Sequence, residues 1–367
     1  MTAAWVSPVL FAADVQCCVL AAAILVLAPG TAANRRLAGA LLVVCGVLSL
    51  YVLGWTGKVE VPAWLAFLPV NLPLALGPLL WGYVVGLTSG RAPEREWRHF
   101  IPAAIQLAYL AVLSLTPEDI RVAWKEAWHD DYVKALFEAA VLVSLCAYGI
   151  DSLARLRRYR RWLAEARSDE DRYASRWLSR VAWTLLFTLA VLTAMRLYTW
   201  SIAEIDTAPV YLWLAAWSAW LGVEGWRHAF VRFPAMEPAT APVAVEEPAP
   251  ARDWRALGEE WRGRIDTAGW WREPSLTLKD AALRLGTNAT YLSRALNEGL
   301  RQNFNEAIND MRAAEAARMI EAGSGGDLLA LAYEVGFSSK ATFNRAFRRH
   351  SGHSPSDHRA RLRSGIS

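Results

Sequence analysis

The stretch "EVGFSSKATFNRAFRRHSGHSPSDHR", residues 334–359, decides how the chain is read. Gly336 supplies the conformational freedom of a tight turn, Ser339 is placed to cap a helix, and Lys340 to His350 reads as that helix. Phe337, Phe343 and Phe347 follow the buried helical period, which turns the basic side chains outward. Over the last 30 residues, Lys340, Arg345, Arg348, Arg349, Arg359, Arg361 and Arg363 stand against one acid, Asp357, a local net charge of +6. Such a field attracts a polyanion.

Upstream the same pattern recurs. In "LTLKDAALRLGTNATYLSRALNEGL", residues 276–300, Thr277 starts a short helix, Gly286 makes a turn and Asn288 caps a second helix with Leu292 on its buried face. A long amphipathic helix is expected from Phe304 to Glu321, with Phe304, Ile308, Met311 and Ala314 along one side, before the break "GSGG" at 323–326. A further helix, "DWRALGEEWRGRIDTA" at 253–268, repeats Trp254, Leu257, Trp261 and Ile265 at the spacing of one buried face. Two helix-turn-helix units within about 80 residues match the ~34 Å repeat of successive major-groove segments, if the long helix spaces them.

Residues 275–360 resemble the DNA-binding domain of the AraC/XylS family of bacterial transcription regulators, through "YLSRALNE" (291–298), "NFNEAINDMR" (303–312) and "GFSSKATFNRAFRRHSGHSPSDHR" (336–359). The N-terminal stretches "GPLLWGYVVGLTSG" (77–90) and "HFIPA" (99–103) resemble the membrane-embedded subgroup of that family. His358 departs from the Tyr that the family often carries in the final turn, which bears on local packing. The resemblance implies that Thr290, Ser293 and Arg294 in the first unit, and Lys340, Ala341, Asn344 and Arg345 in the second, meet base edges. The chemistry suits those roles: Arg bridges guanine O6 and N7, Asn pairs with adenine, and Ala contacts a thymine methyl. Ser339, Arg348 and Arg349 are placed for phosphate.

The rest of the chain has a different composition. Hydrophobic residues make up 54% of 367, and 19 are Trp. Seven apolar stretches, 7–27, 37–56, 63–87, 100–116, 132–152, 178–199 and 208–228, each approach the ~20 residues of a spanning helix. The third, "FLPVNLPLALGPLLWGYVV", carries Pro69, Pro73 and Pro78, so an irregular start or kink is expected. Loops after the first, third and fifth stretches, with Arg180 just inside the sixth stretch, hold 14 Lys and Arg, and the alternate loops hold 3. By the positive-inside rule the N-terminus lies outside and the C-terminus in the cytoplasm, at the bacterial inner membrane. Trp64, Trp124, Trp128, Trp200 and Trp213 fall near the expected outer boundaries.

The predicted fold is therefore all-α: a seven-transmembrane-helix domain over 1–230, a Pro/Ala/Glu linker over 231–252, and a helical domain with two helix-turn-helix motifs over 253–367. The linker "RFPAMEPATAPVAVEEPAPAR" has no helical or strand period and reads as an extended tether. The run "RLRRYRR" at 155–161 serves topology, and its charge density also suits anionic lipid head groups or DNA phosphate.

Polar groups in apolar spans mark function or packing. Asp14, Asn71, Glu138 and Arg196 are expected in the outer half of the membrane, as a signal-binding cavity or as an ion pair fixing the helices. Gln106 and Glu224 fall nearer the inner side. Cys17, Cys18, Cys45 and Cys146 lack zinc or disulfide-framework spacing and read as small apolar groups. The six His show no HExxH spacing, and no Gly-x-Ser-x-Gly elbow or phosphate-cradling glycine loop occurs, so the chain is not read as an enzyme and no cofactor or metal is implied. The expected partners are double-stranded promoter DNA, membrane lipid, an unknown small-molecule or membrane signal, and a second copy in a homodimer. The rival reading is a membrane transporter or enzyme whose helical tail is a regulatory module.

Overall fold

The computed structural model describes residues 5–54, 63–169, 208–236, 253–323 and 326–364, with scattered helical positions between 179 and 193. Among these residues the structure is helical, with an isolated antiparallel bridge between Arg167 and Thr277. The residues form two compact units, Met1–Arg157 with Arg176–Met236, and Arg158–Ser175 with Glu237–Ser367. The second unit thus takes in a segment that precedes residue 230.

In the first unit α1 (Val6–Leu27) and α2 (Ala32–Gly54) pack against each other. After the short α3 (Ala63–Ala66), α4 (Leu76–Ser89) packs on α2. Then come α5 (Ile101–Leu115), α6 (Glu118–Trp124), a π-helical stretch (Lys125–Val133), α7 (Lys134–Ala166), whose residues from Arg158 on belong to the second unit, and α8 (Ala208–His228), which returns to α1 and α2. The buried core joins Leu10, Cys17 and Ile24 of α1, Leu37, Leu41 and Val44 of α2, Tyr83 of α4, and Trp217 and Leu221 of α8.

Small residues let these helices approach closely. A Cβ added at Gly225 would stand 2.3 Å from Leu37 Cδ2, and one at Gly222 would stand 2.6 Å from Leu20 Cδ1. Arg36, nearly buried, forms a two-pronged ion pair with Glu96.

Four helical segments among the described residues are long and apolar enough to cross a membrane: Val6–Leu27, Ala32–Leu53, Glu96–Leu115 and Glu118–Ala166. The expected span 63–87 is interrupted, because α3 ends at Ala66, Pro73 begins a 3-10 turn and α4 starts only at Leu76. Pro69 and Pro73 lack the N–H that a continuous helix needs. Span 208–228 is the 21-residue α8. Span 178–199, and the linker beyond residue 236, lie largely outside the described residues.

The second unit contains α9 (Trp254–Thr267), α10 (Leu278–Leu285), α11 (Ala289–Arg294, extended by a π turn to Gly299), α12 (Phe304–Glu321), α13 (Leu328–Glu334), α14 (Lys340–Ser351) and α15 (Pro355–Ser364). Its core gathers Trp261, Ile265, Trp271, Leu292, Phe304, Ile308, Phe337, Phe343 and Phe347. His358, noted above for its departure from Tyr, lies edge-on to Phe347 with ring centroids 5.5 Å apart.

Helix starts differ between the units. Asp253, Thr277, Asn288, Asn303, Asp327 and Ser339 each accept a hydrogen bond from a backbone N–H in the first turn of α9 through α14, and Ser354 does the same for α15. Asn303 and Glu306 complete a reciprocal capping box. In the first unit α1, α4, α5 and α6 begin without a side-chain cap.

Candidate nucleic-acid interface

The two helix pairs α10–α11 and α13–α14 are built by the same local chemistry. Gly286 ends α10 at φ 76°, and Gly336 lies between α13 and α14 at φ 91°, a left-handed conformation that strains any residue with a Cβ. At Gly336 the space is closed as well, because an added Cβ would stand 2.5 Å from the carbonyl oxygen of Arg272. Thr277 and Asn288 then cap the helices of the first pair, accepting from the N–H of Asp280 and Tyr291 at 3.1 and 2.8 Å. In the second pair Ser339 accepts from Thr342 N–H at 3.1 Å.

α14 is sharply two-faced. Thr342, Phe343, Ala346 and Phe347 are buried, while Lys340, Ala341, Asn344, Arg345, Arg348 and Arg349 are exposed. The buried set packs on α12, and Phe343 sits between Phe337 (tilted) and Phe347 (edge-on) at centroid distances of 5.3 and 5.6 Å. The outward set therefore has its backbone fixed by an aromatic core. Lys340, Ala341, Asn344, Arg345 and Arg348 recur at three- and four-residue spacing and form one stripe.

The other expected contact residues are more engaged. Arg294 of α11 is exposed but hydrogen-bonds Glu298 at 3.0 Å and lies over the Trp254 ring at 4.5 Å. Glu298 holds the Arg294 guanidinium above its ordinary pKa. Thr290 is exposed and Ser293 half-buried, 3.1 Å from the Asn297 amide, which donates to it. Arg349 is 3.6 Å from the Glu306 carboxylate and donates to the Glu306 carbonyl at 3.3 Å. The Ser339 hydroxyl also lies 2.8 Å from Thr342 Oγ1, so the residue placed for phosphate serves as the helix cap.

Beside α14 a cleft of about 310 Å³ is lined by Asn305, Asn309, Thr342, Arg345 and Arg349, with Ala164 of α7 at its edge. Behind it sits a residue that sequence reading did not single out. Arg312 of α12 is wholly buried, and its guanidinium donates to the carbonyls of Trp271 (2.7 Å), Glu273 (2.7 Å) and Ser168 (3.3 Å), to Ser168 Oγ (3.1 Å) and to Asn309 Oδ1 (3.2 Å). Burial pushes its pKa down to about 10, and the nearby Asp169 carboxylate opposes that fall. Ser168 in turn bonds the Leu276 carbonyl through its N–H (3.2 Å) and its hydroxyl (3.0 Å), while Asp169 is held by Arg167 at 2.7 Å. Arg312 thereby ties residues 167–169 to the turn that precedes α10. A signal for it existed, since Arg312 falls on the Phe304–Ile308 face, where the helical period calls for an apolar side chain.

In the first unit, Asp14 accepts from Ser49 Oγ at 2.8 Å, and Asn71 has a buried side-chain amide oxygen without a hydrogen-bond partner among the described residues. Glu138 lies near the start of α7, and Arg196 is outside the described residues. Gln106 is buried, its amide oxygen 3.4 Å from the Leu74 N–H. Glu224 bonds Arg227 at 3.0 Å on its own helix. Among the described residues no group of three or more His, Cys, Asp and Glu could hold a metal ion.

Residues 281–361 match a family model described as a helix-turn-helix domain. The matched region begins inside α10 and runs to α15, so it takes in α11, α12, α13 and α14. No curated protein matches the chain. No solved structure matches it either. The helix-turn-helix match supports a DNA-binding regulator of AraC type, a class that is not typically enzymatic.

Proposed function

We propose that the chain is a membrane-bound, sequence-specific transcription regulator: an N-terminal helical domain at the inner membrane senses a signal, and the C-terminal unit, in the cytoplasm, binds promoter DNA. The observation that carries the reading is the exposed stripe of α14, Lys340, Ala341, Asn344, Arg345 and Arg348, on a helix fixed by Ser339, Gly336 and the phenylalanine core. Arg345 and Asn344 supply the bidentate base contacts of a major-groove helix, while Lys340 and Arg348 add cationic reach toward bases and phosphate.

α11 is the second reader, through Thr290, Ser293 and Arg294. The intervening α12 has 18 residues, about 27 Å at 1.5 Å per residue, comparable with the ~34 Å of one DNA turn. Arg294 reaches a base only after exchanging Glu298 for DNA, so α14 carries the larger share of discrimination. The membrane half of the proposal rests on the four long apolar helical segments and on the loop charge asymmetry. Asp14, Asn71, Glu138 and Arg196 are the proposed signal-binding groups.

Chromatin immunoprecipitation of the intact protein tests the reading directly. Discrete promoter peaks that vanish in an Arg345→Ala strain are expected. Occupancy indistinguishable from a deletion strain, or unchanged peaks in the variant, would refute it.

A further inference from the structure

We propose that Cys18 and Cys45 form an oxidisable dithiol, converted to a disulfide by a lipid-soluble two-electron oxidant of the quinone class. Both cysteines are free thiols, and their sulfurs stand 3.0 Å apart across the contact between α1 and α2. A disulfide needs ~2.0 Å, so closing the gap takes a displacement of about 1 Å. The facing helices are held in register by buried Leu10, Ile24, Leu41 and Leu48, which keeps the two sulfurs opposed.

The surroundings supply the proton chemistry. Asp14 lies one turn before Cys18 on α1, and Ser49 one turn after Cys45 on α2. Cys45 Sγ is 3.9 Å from Ser49 Oγ, and that hydroxyl donates to Asp14 Oδ2 at 2.8 Å. The other Asp14 oxygen is buried with no hydrogen-bond partner among the described residues, so the carboxylate retains acceptor capacity beside the thiols. Cys18 is exposed on the surface of α1, and Cys45 sits half-buried behind it. An oxidant therefore meets Cys18 first, while Cys45 gives up its proton through Ser49 to Asp14.

The balance is simple. Both S–H bonds break and one S–S bond forms, so the two sulfurs lose two electrons and two protons, and the quinone takes up both and leaves as a hydroquinone. Since the thiolate is the reactive form, Asp14 sets the rate as the proton acceptor. Cys17, one position away, is fully buried in the helix core. The choice of a lipid-soluble oxidant rests on the membrane reading proposed above, whereas the dithiol rests on the sulfur geometry alone.

The test uses the full-length protein in sealed membrane vesicles, treated with decylubiquinone or left reduced, then denatured and alkylated for mass spectrometry. A Cys18–Cys45 cross-linked peptide is expected, with both thiols lost from the alkylated pool together. Asp14→Asn should slow its formation by about 100-fold at pH 7, the usual scale of a lost proton acceptor. Equal alkylation of both cysteines with and without the quinone would overturn the proposal, as would a link from either one to Cys17 or Cys146. Cross-linking by water-soluble diamide but not by decylubiquinone, or labelling of Cys18 by a membrane-impermeant maleimide, would overturn the oxidant class and count against the membrane reading. Neither result touches the dithiol, which the cross-link alone decides.

Discussion

Replacing Arg312 with Met keeps most of the side-chain volume and removes every hydrogen bond of the buried guanidinium. The Glu273 carbonyl keeps a second donor, Leu276 N–H at 3.2 Å, but the Trp271 and Ser168 carbonyls and Asn309 Oδ1 lose the donor described for them. Each stranded buried acceptor costs ~1–3 kcal/mol, so three cost about 6 kcal/mol. Against this, a guanidinium pushed down to about 10 by burial carries an unfavourable burial of ~3 kcal/mol, which Met relieves. The net loss is about 3 kcal/mol, within the range seen when one member of a buried charged network is removed. At pH 7, far below its lowered pKa, Arg312 is charged and that burial penalty is fully present. It would lessen only as pH rises through 10. Hydrogen exchange of the full-length protein in nanodiscs reads the effect. Amides of residues 271–276 and of α12 should exchange ~100-fold faster in the variant, the ratio that corresponds to about 3 kcal/mol. Exchange within threefold of wild type would refute the view that Arg312 holds the 167–169 segment in place.

Arg345→Ala should weaken binding to recovered promoter fragments by ~1–3 kcal/mol, measured by fluorescence anisotropy, while salt-dependent binding to random DNA persists. Gly336→Ala combines a positive φ with a Cβ 2.5 Å from a backbone oxygen; it should destabilise the second unit by more than ~2 kcal/mol in thermal melts and abolish promoter binding. Ser339→Ala removes only a cap and should cost about 1 kcal/mol by the same melt, leaving the base preference of α14 intact. The hydrogen bond from Ser354 holds Asp357 below its ordinary pKa. That stabilisation is present above the ordinary value and is lost as pH falls through the lowered one, so exchange in the first turn of α15 should rise selectively in acid.

The features legible in the sequence are those set by neighbours along the chain. Thr277, Asn288 and Ser339 cap where their side chains reach the N–H three residues on, and Gly286 and Gly336 turn at a positive φ that strains a residue with a Cβ. The helix expected over 253–268 is observed as Trp254–Thr267 for the same reason. What stayed hidden depends on distant partners. Arg312 meets Ser168 across 144 positions, and nothing in "SDEDR" announces the pairing. Cys18 and Cys45 had the composition of small apolar groups, and only the relative rotation of α1 and α2 brings their sulfurs together. The break before α4 was foreshadowed by its prolines, but its extent, to Leu76, was not.

The side-chain caps at the starts of α9 through α15 bear on how the chain is made. A helix whose first turn is closed by its own neighbour needs no distant contact to begin, so the unit is rich in local steps and should acquire structure quickly. Residues 253–364 are synthesised after the apolar segments. Ser168 and Asp169 must then wait through more than a hundred further residues before Arg312 exists to receive them, which makes their capture a late event in the maturation of the protein.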